Sequence, residues 1–195
     1  MTFYDVAKVI VSGIVRTAFR VRVVGAEHVP LTGPLIVAAN HISNFDPPLL
    51  GVAMPRQIWY MAKKELFAIP VLGPVISRLG AFSVDRQAGG TAALRAALRM
   101  LKEGRAVGMF PEGGRNVEGD KEVKSGVAFL AAASGAPVVP AAIVGTRGLR
   151  PFRRVTVAFG EPLRVTRRRE AQGDDLEKWS DEIMQRIRAL EESNR

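Results

Sequence analysis

The feature that most limits this fold is a rhythm: short aliphatic runs alternate with stretches of helical period along most of the chain. The runs are Val21–Gly25, Pro34–Ala39 (PLIVAA), Gln57–Ala62 (QIWYMA), Ala81–Val84 (AFSV), Ala106–Phe110 (AVGMF), and the later APVVPAAIVG and RVTVAFG. Several are apolar without alternation, as strands covered on both faces must be. Between them, GGTAALRAALRMLKEG reads as an amphipathic helix stopped at Gly104. Helices are also expected over Pro47–Met54 and Lys124–Ser134. The final stretch, GDDLEKWSDEIMQRIRALEESN, starts with Asp174 and Asp175, where the helix dipole favours acids. ELFAIPVLGPVISRL is broken by Pro70, Gly73 and Pro74 and gives at best two short helices, expected to pack as ordinary core. The order predicts an α/β fold with a mostly parallel sheet flanked by helices. At 195 residues, 47% of them hydrophobic, the chain has material for a single such domain.

Ahead of that pattern stands TFYDVAKVIVSGIVRTAFR. Asp5, Lys8, Ser12, Arg16 and Arg20 form a narrow polar stripe, with Phe3, Val6, Ile10, Ile14 and Phe19 among the apolar positions between them. A spanning helix wants about 20 mostly uninterrupted apolar residues. Lys8 and Arg16 interrupt this one, so residues 1–20 are expected to form an amphipathic membrane-surface helix and residues 21–195 the α/β domain.

Charge and composition narrow the chemistry. The net charge of +9 favours anionic partners, whether nucleic acid, an anionic membrane face or a phosphorylated substrate. Nucleic acid leaves the apolar N-terminal helix unexplained, and only Trp59 and Trp179 are available as large stacking groups, so no nucleic-acid partner is expected. The absence of cysteine excludes disulfides, thiolate metal sites and a cysteine nucleophile, and suits a reducing compartment. With only His28 and His41, no metal is expected. No secretory signal is read. Neither a G-x-S-x-G elbow, a P-loop lysine motif nor a dinucleotide fingerprint occurs, so no cofactor is expected.

In sheets of this kind, functional groups gather beyond the carboxyl ends of strands. Two polar loops belong there: NHISNFD, Asn40 to Asp46, and PEGGRN, Pro111 to Asn116. Residues five apart share no helix face, so His41 and Asp46 must meet through a turn, for which Ser43 and Asn44 are suited. Asp46 is expected to be a helix N-cap, with Pro47 at the first helical position. A carboxylate on one ring nitrogen fixes the tautomer and leaves the other nitrogen as a general base. In the second loop, Gly113 and Gly114 permit a tight turn with accessible N–H groups, and Arg115 adds a fork matched to phosphate. Arg86, in GAFSVDR, is placed to overhang the same edge.

Four blocks in order, NHISNFD, GAFSVDR, FPEGGRN and VVPAAIVG, together with MAKKELFAIPVLG, resemble the glycerolipid acyltransferase family of the 1-acylglycerol-3-phosphate (lysophosphatidic acid) acyltransferase type. The resemblance runs from Val21 to Gly160. It implies that His41 deprotonates the acceptor hydroxyl, which attacks a fatty acyl thioester of coenzyme A or acyl carrier protein to give a phosphatidic acid. Asp46 would support His41. Arg86, Glu112 and Arg115 would bind the acceptor, the arginines on its phosphate, and Gly113 would permit close approach. Membrane lipids are then the expected partners, and the protein is expected to be peripheral on the cytoplasmic face of the membrane. In that setting, Leu66–Leu79 has a second reading as a guide for the acyl chain.

Two positions depart from the family pattern: Gly114 stands for threonine and Asn116 for serine. They keep open another acceptor, such as a glycolipid or lyso-aminolipid. A non-catalytic lipid-binding module is the remaining alternative, against which the intact His41–Asp46 pair argues. Arginines 147, 150, 153, 154, 164, 167, 168 and 169, with Glu161 as the only acid among them, suit anionic lipid, coenzyme A phosphates or an acidic carrier protein, or a plain solvated face.

Overall fold

The computed structural model describes residues 3–70, 72–84, 90–117, 123–148, 150–166 and 174–195. Strands β1 (Arg20–Val24), β2 (Leu35–Ala39), β3 (Ile58–Lys63), β4 (Ala81–Val84), β5 (Ala106–Met109), β6 (Val138–Val144) and β7 (Arg154–Phe159) form one sheet. The order is β1-β7-β6-β2-β5-β3-β4. Helices α1 (Phe3–Ala18), α2 (Asp46–Ala53), α3 (Lys64–Phe67), α4 (Leu72–Arg78), α5 (Gly90–Lys102), α6 (Gly126–Ser134) and α7 (Asp175–Ser193) complete the chain.

Strand β2 shows why both faces are covered. All five of its residues are buried, and they divide with the period of two that a strand imposes. Leu35, Val37 and Ala39 join a cluster with Leu49 and Leu50 of α2 and Val15 of α1. Ile36 and Ala38 join the opposite cluster with Ala97 of α5, Leu130 of α6 and Ile187 of α7. The sheet is mostly parallel, as the alternation predicts, with one reversal. Strand β7 pairs antiparallel with β6, and β1 pairs parallel with β7, so β1 and β7 run against the rest. Hence the carboxyl ends of β2, β3, β5 and β6 share an edge with the starts of β1 and β7.

The stretch Leu66–Leu79 forms two short helices, but not ordinary core. No residue of α3 is buried, and Leu66, Ile69 and Val75 are exposed. Because α3 begins where β3 ends, Leu66 lies toward the same sheet edge as the polar loops.

The orientation of α1 was not evident in its sequence. It packs along α2, with Val15 buried and Phe19 against the same cluster. From its polar stripe, Ser12 is half-buried and Lys8 donates to the Met54 carbonyl at the end of α2. Val6, Val9 and Ile10 instead face outward, together with Gly13 and Thr17. Among the described residues, no helix is long and apolar enough to cross a membrane.

Candidate active site

Register brings the two polar loops together. Strands β2 and β5 are neighbours, with Ala38 level with Met109, so the segments after Ala39 and Phe110 leave the sheet side by side. Asn40 fixes the exit. Its side chain accepts from the Ile143 N–H at 2.7 Å and donates to the Ile143 carbonyl at 3.0 Å, extending the pairing of β2 with β6 by one side chain. His41 then lies with its ring stacked on Phe110, centroids 4.3 Å apart and planes 25° from parallel.

The turn from Ser43 to Asp46 closes with the Asp46 N–H on the Ser43 carbonyl at 3.1 Å. It returns the Asp46 carboxylate to His41, whose Nδ1 lies 3.0 Å from Oδ2. The same oxygen accepts the N–H groups of Ile42 at 2.7 Å and Ser43 at 2.6 Å. Asp46 is fully buried, while the His41 side chain retains 14% exposure. The expectation that Asp46 is the N-cap needs correction: Phe45 is the N-cap, and Asp46 is the first helical residue. Pro47 and Pro48 carry no N–H, so the first turn of α2 offers a carboxylate few donors. The Asp46 side chain is therefore turned to the donors that precede it.

The second loop brackets the His41 backbone. Glu112 Oε2 accepts the His41 N–H at 2.7 Å, and the Asn116 N–H donates to the His41 carbonyl at 2.6 Å. Asn116 Nδ2 also donates to Glu112 Oε1 at 3.2 Å. Glu112 and Asn116 are both buried. Burial pushes the Glu112 carboxyl above its ordinary range, while the His41 N–H, the Asn116 amide and the His41 charge oppose this. Both Glu112 oxygens are engaged inside the protein. A direct contact with an acceptor, which the resemblance implied, requires some of these bonds to be given up.

Gly113 has a φ of 67°, in the left-handed region, and its N–H closes the turn on the Phe110 carbonyl at 2.9 Å. A side chain is strained at such a φ, which accounts for glycine there. Arg115 follows, exposed on the rim of the loop. Arg147, just past β6, donates to the Val117 carbonyl and so ties the β6 end to the same rim. Arg86 lies outside the described residues, as do arginines 167, 168 and 169. His28 is remote: it lies past the end of β1 on the opposite sheet edge, with Nδ1 3.0 Å from the Phe159 carbonyl.

Sequence reasoning missed the bracing role of Asn40 and Asn116. Asn40 was given no role and Asn116 only marked a departure from the family serine; the hydrogen bonds show that they brace the His41 segment. The spacing of Glu112 and Asn116, four apart around a glycine turn, was the available signal.

A buried carboxylate on one imidazole nitrogen, with the ring still reachable, is the arrangement of a positioned general base. Comparison with known proteins gives the family. The acyltransferase family model matches residues 20–144. A 1-acyl-sn-glycerol-3-phosphate acyltransferase of Bacillus subtilis is 38% identical over 147 residues, 73% of each chain. A protein of the same name from Streptococcus pneumoniae is 30% identical over 165 residues, 82% of this chain and 61% of that one. The crystal structure of the 1-acyl-sn-glycerophosphate (LPA) acyltransferase PlsC from Thermotoga maritima has a TM-score of 0.74 at 27% identity, covering 98% of this chain and 79% of that one. By its matched domain and its relatives, the chain belongs to the acyltransferase family.

Proposed function

We propose that the protein is a 1-acylglycerol-3-phosphate O-acyltransferase, transferring a fatty acyl group from a thioester to the free hydroxyl of a lysophosphatidic acid. The observation that carries this is the 3.0 Å contact between His41 Nδ1 and the buried Asp46 carboxylate. It leaves Nε2 for the substrate, at the end of a strand where ligands of such sheets bind.

In this mechanism His41 Nε2 takes the proton of the acceptor hydroxyl as its oxygen attacks the thioester carbonyl. The tetrahedral adduct collapses with cleavage of the C–S bond, and the thiolate takes the proton back from His41. Asp46 holds the ring and balances the imidazolium. Glu112 and Asn116 act as positioning residues through the His41 backbone. Arg115 contacts the acceptor phosphate, with Arg86 as a second candidate. The donor is acyl-coenzyme A or an acyl carrier protein thioester.

The outward apolar side chains of α1 support a peripheral site of action on a membrane, and a thioester donor suits its cytoplasmic face. The test is a radiolabelled acyl-transfer assay across lyso-lipids with and without phosphate, using both donor types. The proposal expects a marked preference for the phosphorylated glycerol acceptor. Equal or better turnover of a glycolipid or lyso-aminolipid would reject that acceptor assignment.

A further inference from the structure

Arg150 to Arg153 form a tight turn on the His41 edge of the sheet, immediately before β7. The Arg153 N–H closes it on the Arg150 carbonyl at 3.3 Å. Pro151 holds the second position, and Phe152 the third with a φ of 64°. This is the pattern of a type II turn, whose third position wants glycine or asparagine because φ is positive. Phe152 is the only non-glycine residue with positive φ among the described residues. A bulky side chain there is an outlier that costs backbone energy.

The fold makes little use of the ring. Phe152 is 70% exposed, more than any other large apolar side chain among the described residues. Its N–H donates to the Ala18 carbonyl at 2.6 Å, a bond that glycine makes equally well. The backbone thus explains the turn but not the phenylalanine.

The surroundings supply a reason. Arg147, Arg150, Arg153 and Arg154 are exposed, and no acidic residue occurs between Lys124 and Gly160. Ala18 ends α1, whose outward face carries Val6, Val9 and Ile10. Next to it, Phe19 meets the exposed Phe45 edge to face, centroids 6.2 Å apart, and Phe45 directly precedes Asp46. An exposed ring, a cationic turn and a second exposed ring therefore lead along one edge to the catalytic pair.

We propose that the Arg150–Arg153 turn is a docking wedge for an anionic bilayer. Phe152 enters the boundary between headgroups and acyl chains, while Arg147, Arg150 and Arg153 meet lipid phosphates, so that the His41 edge faces the lipid. An acidic protein would satisfy the arginines, but a ring held out by a strained turn suits an apolar interior. The purpose of the wedge rests on the acyltransferase reading above; its geometry does not.

The experiment compares the full chain with Phe152→Gly by sedimentation with phosphatidylglycerol–phosphatidylcholine vesicles. Glycine suits the φ, so Tm should hold or rise while vesicle partitioning falls by about tenfold. Replacing both Arg150 and Arg153 by Gln should weaken binding to the anionic vesicles about as much, and hardly affect binding to phosphatidylcholine alone. Acyl transfer by Phe152→Gly should fall for an acceptor embedded in vesicles and stay unchanged for a short-chain monomeric one. Wild-type vesicle binding by a folded Phe152→Gly protein overturns the proposal. So does a defect confined to turnover with a carrier-protein donor, which would assign the turn to a protein partner. The sedimentation arm reads the wedge even if no acyl transfer is found.

Discussion

The backbone N–H of His41 donates to the carboxylate of Glu112, 71 residues further along the chain, at 2.7 Å. His41 is thus held at both ends: its ring by Asp46 and its peptide by the glycine-containing loop after β5.

The burial of Glu112 in this pairing has a pH signature. Burial raises the Glu112 carboxyl, so between its unfolded and folded values the native state binds more protons than the unfolded chain. Its contribution therefore makes stability fall as pH rises from the ordinary glutamate range through the folded value, then level off. Thermal melts across pH should show the wild type losing stability relative to Glu112→Gln in that window. A difference between the two proteins that is flat, or of opposite sign, would contradict the assignment. Turnover should fall in Glu112→Gln, because one of the two supports on the His41 loop is altered.

Asn40 is expected to matter for stability and for the site together. Asn40→Ala leaves the buried N–H and carbonyl of Ile143 without these partners, at about 1–3 kcal/mol for each group. Chemical denaturation should report a loss of that order. A loss below about 0.5 kcal/mol, the size expected of a surface change, would show that the bridge is not stabilising.

Arg115 is the test of acceptor recognition. Lysine keeps the charge and loses the planar fork, so Arg115→Lys should raise the acceptor KM by roughly ten- to hundredfold. The donor KM should hardly move. Loss of the preference for phosphorylated over neutral lyso-lipid in the variant would support a phosphate contact. An unchanged preference would remove it.

The outward face of α1 gives a further prediction. Val9 and Ile10 are exposed, so the double change Val9→Glu and Ile10→Glu should leave the fold and Tm nearly unaltered. Liposome flotation should show weaker membrane association, by about tenfold or more. Flotation equal to wild type would place the lipid contact elsewhere, with the Arg150–Arg153 turn the first place to look.

Much of this arrangement was legible in the residues. Uninterrupted runs such as Leu35–Ala39 mark strands buried on both faces, and a polar loop after such a run belongs at the ligand-binding edge. The meeting of His41 with Asp46 through a turn followed from a spacing that no helix face allows. Strand direction was less legible, because β1 and β7 reverse through their pairing partners and not through anything in RVRVV or RVTVAF. The polar stripe of α1 was visible, but not that Lys8 and Ser12 would turn inward and leave valines outside. Nor did the sequence suggest Phe152 in a turn position that ordinarily takes glycine, since a phenylalanine gives no sign of a positive φ.

The central claim is that His41 is the general base. Its most direct test is steady-state acyl transfer to lysophosphatidic acid by the full-length His41→Ala protein, with circular dichroism and vesicle binding measured on the same preparation. The expected result is a fall in kcat of about 10²–10⁴-fold with fold and binding retained. Turnover near that of the wild type, in a well-folded His41→Ala protein, would contradict the mechanism outright.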